Sequence, residues 1–485
     1  MEKQKGLKKS LNPMSVWAIA FGCIIGWGSF INPGKKFLPN SGVAGTAIAM
    51  LLGALVMIII AFSYAYMVPK HPQAGGEFTF TKENFGKVPA FICGWFLVAA
   101  YLTNVPMNST AIPLIIEGIF GEGCLNWFGT AGYSIAGSNV SVGGIVIAAG
   151  ILILFGILNI LGVKKAGFVQ TVLASMLAFC AVTLCIAGIV SAIKNGVHFD
   201  PAWGFDKSAV TEAGNYSDSM ANQNIAASIL ATFAIAPWAF VGFDTIPQAA
   251  EDFKFSYSKV MKIMVVAIAF GFFVYTSNNT VCAVALNNWP ELCAEGKWVL
   301  LVAAEQLLGS FGKVVVGLGV SCAVLSGIMG FYLASSRLMY SMAKEGYLPK
   351  TFGRIDAKHG TPKNAMIFCI VISLAGPILG REALGWFVDM SAIGASIGYL
   401  FTSLATVKEI KKDKDGSKGL YILGIIGIIF SAAFIVLQLI PIPGLEGVHF
   451  CWQSYVMLIV WIVIGLVFYI KQKDKLGVMQ FVEEE

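Results

Sequence analysis

Twelve apolar runs, each near the roughly 20 residues that a helix needs to cross a bilayer's hydrocarbon, divide this chain. They fall at about 14–34, 43–68, 88–119, 142–161, 166–190, 226–250, 261–286, 306–340, 365–380, 385–407, 419–440 and 453–470. Hydrocarbon offers no partner to a backbone N–H or C=O, so a spanning segment must be a helix or part of a closed barrel. The runs lack the period-two alternation of barrel strands, and the expected fold is all-α. Composition agrees, with 57% of residues hydrophobic and 12% charged, about half the charge of a water-soluble domain.

An even number of crossings puts both termini on one side. Of the 33 Lys and Arg, 26 fall in the tails and loops of that side and 7 opposite, the bias that marks a cytoplasmic face. The net charge of +6 therefore needs no nucleic acid, since the basic residues cluster between apolar runs rather than along one face. Glu2 to Lys9 is polar and the run that follows is too long for a signal-peptide core, so no cleavable signal is expected. The expected setting is a multi-pass position in a bacterial cytoplasmic membrane, with lipid as solvent.

Several chemistries are disfavoured. Of ten cysteines, Cys23, Cys93, Cys180, Cys185, Cys282, Cys322 and Cys369 lie inside apolar runs and no CxxC spacing occurs, so they read as small hydrophobes and no metal is expected. Cys124 and Cys293 fall in outer loops, where a disulfide and two free thiols are both open. His71, His198, His359 and His449 lie outside the helix cores and form no metal or acyl-transfer constellation, so neither an enzyme nor a cofactor is expected. A channel would want a repeated filter loop or a continuous polar lining. The sequons at Asn108, Asn139 and Asn278 read as chance matches. Residues 191–225, with Asp200, Asp206, Glu212 and Asp218, read as a solvated outer loop. The basic stretch 340–364, broken by Pro349, Gly353, Gly360 and Pro362, reads as an orientation anchor, with a lipid or partner contact the second reading.

Two segments carry the functional signal. The first holds Gly22, Gly26 and Gly28 near its middle and Pro33-Gly34 after them; the sixth holds Gly242 and Asp244 between Pro237 and Pro247. Glycine disfavours helix and proline removes a donor, so both segments are expected to break at membrane depth. That is tolerable only where the freed groups face protein, water or a ligand. For the first segment, close packing through small residues is the competing reading. Breaks five segments apart mark an inverted-repeat transporter with its binding site between them. Half-helix N-termini there suit a carboxylate and unwound carbonyls an ammonium.

The residues around these breaks resemble the amino acid–polyamine–organocation (APC) transporter superfamily over most of the chain. Gly26-Trp27-Gly28-Ser29-Phe30 is similar to its G-x-G-x-F element, and Pro72-Gln73-Ala74-Gly75-Gly76-Glu77-Phe78 to its P-x-A-G-G-x-Y loop. Leu161-Gly162-Val163-Lys164 to Gln170 resembles the start of helix five, and Glu251-Asp252 the acidic pair closing helix six. Ser336-Arg337, Gly346-Tyr347-Leu348-Pro349 and Thr361-Pro362 resemble the signature after helix eight.

The resemblance implies a five-plus-five inverted repeat of LeuT type, with a cytoplasmic tail at 1–13 and a core at 14–407 made of repeats near 14–190 and 226–407. Two further helices at 408–470 and a tail at 471–485 follow. It implies alternating-access transport of an amino acid or small organic amine, seated by Ile24, Gly26, Trp27 and Gly28 on helix one and Trp238, Phe240, Val241 and Gly242 on helix six. Trp27 departs from the small residue many relatives carry; it is an aromatic wall or packing. Trp238 and Phe331 match aromatic wall positions, with packing again the alternative. Asn104 and Asn108 face the bundle as interhelical glue, Asn104 being the one also placed near substrate. Asp244 is a proton-sensing carboxylate or an N-cap for the second half-helix, while Glu117 and Asp389 rank lower. A sodium site would need adjacent hydroxyls on helix eight, where Ser326 is followed by Gly327, and Ser175-Met176-Leu177 on helix five offers no lysine in place of the ion. Proton coupling, sodium symport, exchange and facilitated diffusion stay open, as does a non-transporting sensor on the same scaffold.

Overall fold

The computed structural model describes residues 9–121, 123–126, 132–135, 138–196, 199–213, 216–222, 224–380, 383–413, 417–442 and 449–477. Glu2 to Lys8, His198 and the last eight residues lie outside it.

The first apolar run is two helices, α1 (Pro13–Ile24) and α2 (Gly28–Asn32). Asn12 starts α1 by accepting the Ser15 N–H at 2.8 Å, with Pro13 in the first turn where its missing donor is harmless. A π-turn, Pro33–Phe37, leads into α3 (Leu38–Lys70). Then come α4 (Gly76–Phe85), α5 (Lys87–Phe120), α6 (Val142–Ile160) and α7 (Val163–Asn195), followed by a short outer helix, α8 (Lys207–Ala213). The sixth run is divided into α9 (Ile225–Phe233), α10 (Ala236–Phe240) and α11 (Thr245–Gln248). After α12 (Val260–Ala285), two short helices, α13 (Trp289–Ala294) and α14 (Val299–Leu308), precede α15 (Ser310–Lys344). The rest is α16 (Lys363–Ser373), α17 (Gly376–Leu379), α18 (Ala383–Lys412), α19 (Lys418–Leu439) and α20 (Trp452–Gln472).

Nine described spans are long and apolar enough to cross a membrane. The remaining three apolar runs are the interrupted ones. Breaks in the first and sixth were expected; the ninth also divides, between α16 and α17, where Gly376-Pro377 interrupts it. The eighth run starts later than its hydropathy suggests, because 299–308 is a separate outer helix ended by Gly309.

Packing follows an exchange of each segment with the one five places on. Helix α5 of the third segment packs on α15 of the eighth. The contact of α5 with α18 is matched by that of α15 with α7, and the contact of α1 with α7 by that of α10 with α18. Such pairing is what a five-plus-five repeat requires. The central helices are the most enclosed, with 78% of the apolar window buried in α15 and α18 against 22% in α19 and 11% in α20. Bare Phe168, Ile186 and Ile193 on α7, and Ile459 and Ile470 on α20, present that surface to lipid. Trp95 and Trp461 join α20 to the bundle by stacking at 4.5 Å, each indole donating to the other's carbonyl, at 2.9 and 3.1 Å.

Two loops at the end away from the termini carry more structure than hydropathy implied. Gly132–Ile135 and Ser138–Ser141 form an antiparallel hairpin, with Tyr133 opposite Val140. The 191–225 stretch is less solvated than expected. Helix α7 runs on to Asn195, and the loop then docks on the start of α3, where Ala202 C=O accepts from the amides of Ala44 and Gly45 and Phe205 donates to Pro39 C=O. Phe205 and Val210 are buried. Cys124 and Cys293 are not joined by a disulfide. Asn108 and Asn278 are buried in helices, which closes two of the three sequons.

Gly42 makes this docking possible. Its φ is +64°, and a Cβ there would stand 2.3 Å from Ala202 C=O. Gly42→Ala is expected to destabilise the protein by about 1–3 kcal/mol from the backbone alone, and the thermal midpoint of the purified protein in detergent checks this.

Candidate functional site

Helix α1 stops where its ladder runs out of donors. The Ile25 N–H still reaches Phe21 C=O at 2.9 Å, but among the described residues the Gly26 and Trp27 amides bond to nothing. Ladder bonds resume with Ser29 to Gly26 C=O and Phe30 to Trp27 C=O. Side chains from other helices cover the exposed carbonyls on both flanks. Gln170 of α7 donates to Ala18 C=O at 3.1 Å, Ser326 of α15 to Gly22 C=O at 3.2 Å, and Tyr275 of α12 to Ile24 C=O at 3.3 Å. Asn278 serves Ser29 C=O at 2.9 Å.

The sixth segment opens at Val241-Gly242, with Gly242 at φ +140°. This glycine touches the first break: a Cβ on it would lie 2.6 Å from Ile24 N and 2.9 Å from Ala20 C=O. The two breaks are therefore neighbours, as expected. The free amides at Gly26 and Trp27 lie at the N-terminal end of α2, where the helix dipole favours an anion.

Most of the residues singled out from sequence line this junction. Ile24, Trp27, Gly28, Trp238, Phe240, Val241 and Gly242 are buried, and Gly26 joins them as half-buried backbone. The rings of Trp27 and Trp238 meet at 6.2 Å, tilted by 53°, and Trp238 lies across Gly28. Trp27 Nε1 is buried without a partner. Phe240 packs on Tyr275. Phe331 is placed differently: it stacks on Tyr101 at 6.3 Å, and Tyr101 belongs to the acidic cluster below. Asn104 is satisfied as glue, its amide donating to Ser391 Oγ and Ala100 C=O, both at 2.7 Å. Asn108, by contrast, has spare capacity. Its Oδ1 is buried and unpartnered, about one contact distance (3.4 Å) from where a Gly26 Cβ would stand. An unpaired buried amide oxygen calls for an explanation, and a donor seated at the first break supplies one.

Asp244 does not cap α11. Its Oδ1 instead accepts the Gly242 N–H at 2.7 Å, holding the break from inside, and its Oδ2 meets Tyr101 Oη at 3.1 Å. Tyr101 Oη also lies 3.2 Å from Glu77 Oε1, which accepts from Tyr64 at 2.8 Å. Glu77 went unnoticed as a buried acid because the hydropathy window ends the second segment near residue 68 and leaves it in a loop. Only packing shows that α4 folds back under the bundle.

Ser326 keeps one hydroxyl beside the first break, but Gly327 leaves no room for another. A Cβ there would stand 2.9 Å from Asn108 Nδ2. Ser175 and Met176 face outward and Leu177 is buried but apolar, while Gln170, a neutral amide, is the α7 residue beside Gly22 and Ser326.

The motif residues at the terminus-bearing end converge too. Arg337 and Asp252 form a wholly buried ion pair at 3.0 Å. Glu251 accepts the Ala74 N–H at 3.1 Å, Ser341 donates to Ala74 C=O at 2.7 Å, and the amides of Ser10 and Leu11 bond to Asp252 C=O. Four stretches of chain, three of them carrying motifs quoted above, thus form one plug below the breaks. Residues 11–468 match the amino acid permease family. The chain belongs to that family. Its five-plus-five architecture, the paired breaks and the plug are therefore features of a membrane permease.

Among named relatives, the human large neutral amino acids transporter small subunit 2 is 27% identical over 369 residues, covering 76% of this chain and 64% of that protein. The match thus spans just under two thirds of that relative. The branched-chain amino acid permease BcaP of Bacillus subtilis (strain 168) is 24% identical over 496 residues, covering 96% and 93%. Mouse Asc-type amino acid transporter 1 is 26% identical over 399 residues, covering 81% and 69%.

Because a Cβ at position 28 would stand 2.4 Å from Trp238 Cη2, Gly28→Ala is expected to displace that ring from Trp27. Near-ultraviolet circular dichroism should report an altered tryptophan band, with helical content unchanged in the far ultraviolet.

Proposed function

We propose that this chain is a secondary transporter that moves small zwitterionic amino acids across the membrane by alternating access. The observation that carries this is the junction of the two breaks: free amides at the head of α2, an unpartnered Asn108 Oδ1 beside Gly26, and apolar or aromatic walls around them. The amides suit a carboxylate and the oxygen an ammonium. Ile24, Trp27, Trp238, Phe240 and Val241 would surround the side chain, a lining that favours apolar over charged cargo. The names of the relatives, neutral and branched-chain amino acid carriers, support the same class.

In this reading Trp27 and Trp238 close over the seat, and the Arg337–Asp252 plug seals the cytoplasmic end. Both termini face the cytoplasm, on the strength of the basic-residue bias. Asp244 couples transport to protons, since its carboxylate holds the Gly242 amide at the sixth break. Sodium symport is the weaker reading because Gly327 lacks a hydroxyl and Gln170 serves the neighbouring backbone.

The test is uptake into proteoliposomes of a panel of neutral, acidic and basic amino acids, amines and polyamines, driven by a proton gradient, a sodium gradient or internal substrate. Neutral amino acids are expected to enter, with no stimulation by sodium; no uptake or binding across the panel removes the reading. Trp27→Ala should widen the range of side chains accepted, and an unchanged profile returns the ring to packing. Asp244→Asn should flatten the pH dependence of uptake while preserving folding.

A further inference from the structure

Two buried acids share one phenol. Tyr101 Oη stands 3.2 Å from Glu77 Oε1 and 3.1 Å from Asp244 Oδ2, and both carboxyls are 0% exposed. They arrive from far apart in the chain, Glu77 on α4 and Asp244 beside α11. The groups facing them carry no countercharge among the described residues. Tyr64 comes from α3, Cys93 from α5, Cys23 from α1, Gln248 from α11, and Tyr399 from α18, stacked on Phe243. From α15, the ring on Tyr101 is that of Phe331. The buried guanidinium of Arg337 is committed to Asp252, and Lys82 of α4 to Glu83 and Glu345.

Hydrogen counting limits what this cluster can hold. A phenol has one proton, so it donates to one carboxylate and turns an oxygen lone pair to the other. With both acids ionised, one of the two carboxyl approaches has no hydrogen in it, and two uncompensated charges are buried, which is costly. One added proton removes both difficulties. Protonated Asp244 donates to Tyr101, Tyr101 donates to Glu77, and Glu77 accepts also from Tyr64 and Gln248. Every carboxyl contact then has a donor and an acceptor, and only the weaker approach of Tyr101 Oη to Asp244 C=O, at 3.2 Å, is left without a hydrogen.

We propose that Glu77 and Asp244 form a single proton-binding site bridged by Tyr101, with Glu77 the partner that keeps the proton on the pair. The site itself needs only the geometry; its use in coupling rests on the transport reading above. A proton lost to water leaves Asp244 Oδ2 facing the phenol oxygen while Oδ1 still holds the Gly242 amide, so the sixth-segment break is the element that responds. The same loss loosens α4 from α11 at the cytoplasmic end, the place where an inward-opening carrier has to part.

Infrared difference spectra of the purified protein, recorded across steps in pH, test this without any transport assay. The wild type should show a protonated carboxyl C=O band that is lost as the pH is raised. That band should vanish in Glu77→Gln/Asp244→Asn and shift in Tyr101→Phe, which keeps both acids and covers the case of a double variant that does not fold. A band unchanged by either substitution overturns the proposal. In proteoliposomes, Glu77→Gln should lower the pH midpoint of uptake by about one unit or more, because a neighbouring negative charge has gone. A midpoint equal to the wild type overturns the shared site. If no substrate enters at any pH, the transport reading fails and the infrared result still decides on the proton site.

Discussion

A buried backbone amide without a partner costs several kcal/mol in hydrocarbon, and this chain accepts that cost at two adjacent places. Everything around Ile25 to Gly28 and Val241 to Asp244 can be understood as support for those two interruptions. Gln170, Ser326, Tyr275 and Asn278 arrive from three different helices to satisfy carbonyls flanking the first break. Asp244 turns back to satisfy an amide within the second. Among the groups left unpaired, the Gly26 and Trp27 amides, Trp27 Nε1 and the oxygen of Asn108 lie together at the meeting point of the breaks.

The packing that brings the breaks together also explains the motifs. Pro72 to Phe78, Glu251-Asp252 and Ser336-Arg337 are separated by up to 265 positions, yet their residues join in one plug at the terminus-bearing end. Arg337 and Asp252 are each 1% exposed in side-chain terms. Removing one partner would strand a buried charge, the costly half of such an arrangement. Glu77 and Tyr101 lie between plug and breaks, linking the two.

Much of the fold was legible because the bilayer's demand on the backbone is so simple. Run length exposed the spans, and glycine with proline the two breaks. The ninth-segment break was missed although Gly376-Pro377 was in plain view, since a short interruption near a segment end barely lowers a 20-residue average. The docked outer loop was missed for another reason: Phe205 and Val210 are too few to raise hydropathy, and they gain their burial only against α3 and its neighbours. Within the site, Ser175 and Met176 were weighed at a place that Gln170 fills, because counting along a sequence does not say which face of α7 turns inward.

The sequence alone determined that the chain is a helical membrane protein, where it crosses, and where its helices fail. Those properties depend on local composition and on the absence of water around the backbone, both of which act residue by residue. The tertiary structure decided which freed groups stay unpaired and which acids meet. Asn108 was one amide of two until Ser391 satisfied Asn104 and left it over, and Glu77 was a loop residue until α4 folded beneath Tyr101. Hydrogen-bond satisfaction and charge burial are sums over neighbours distant in the chain, so they exist only once the helices have packed.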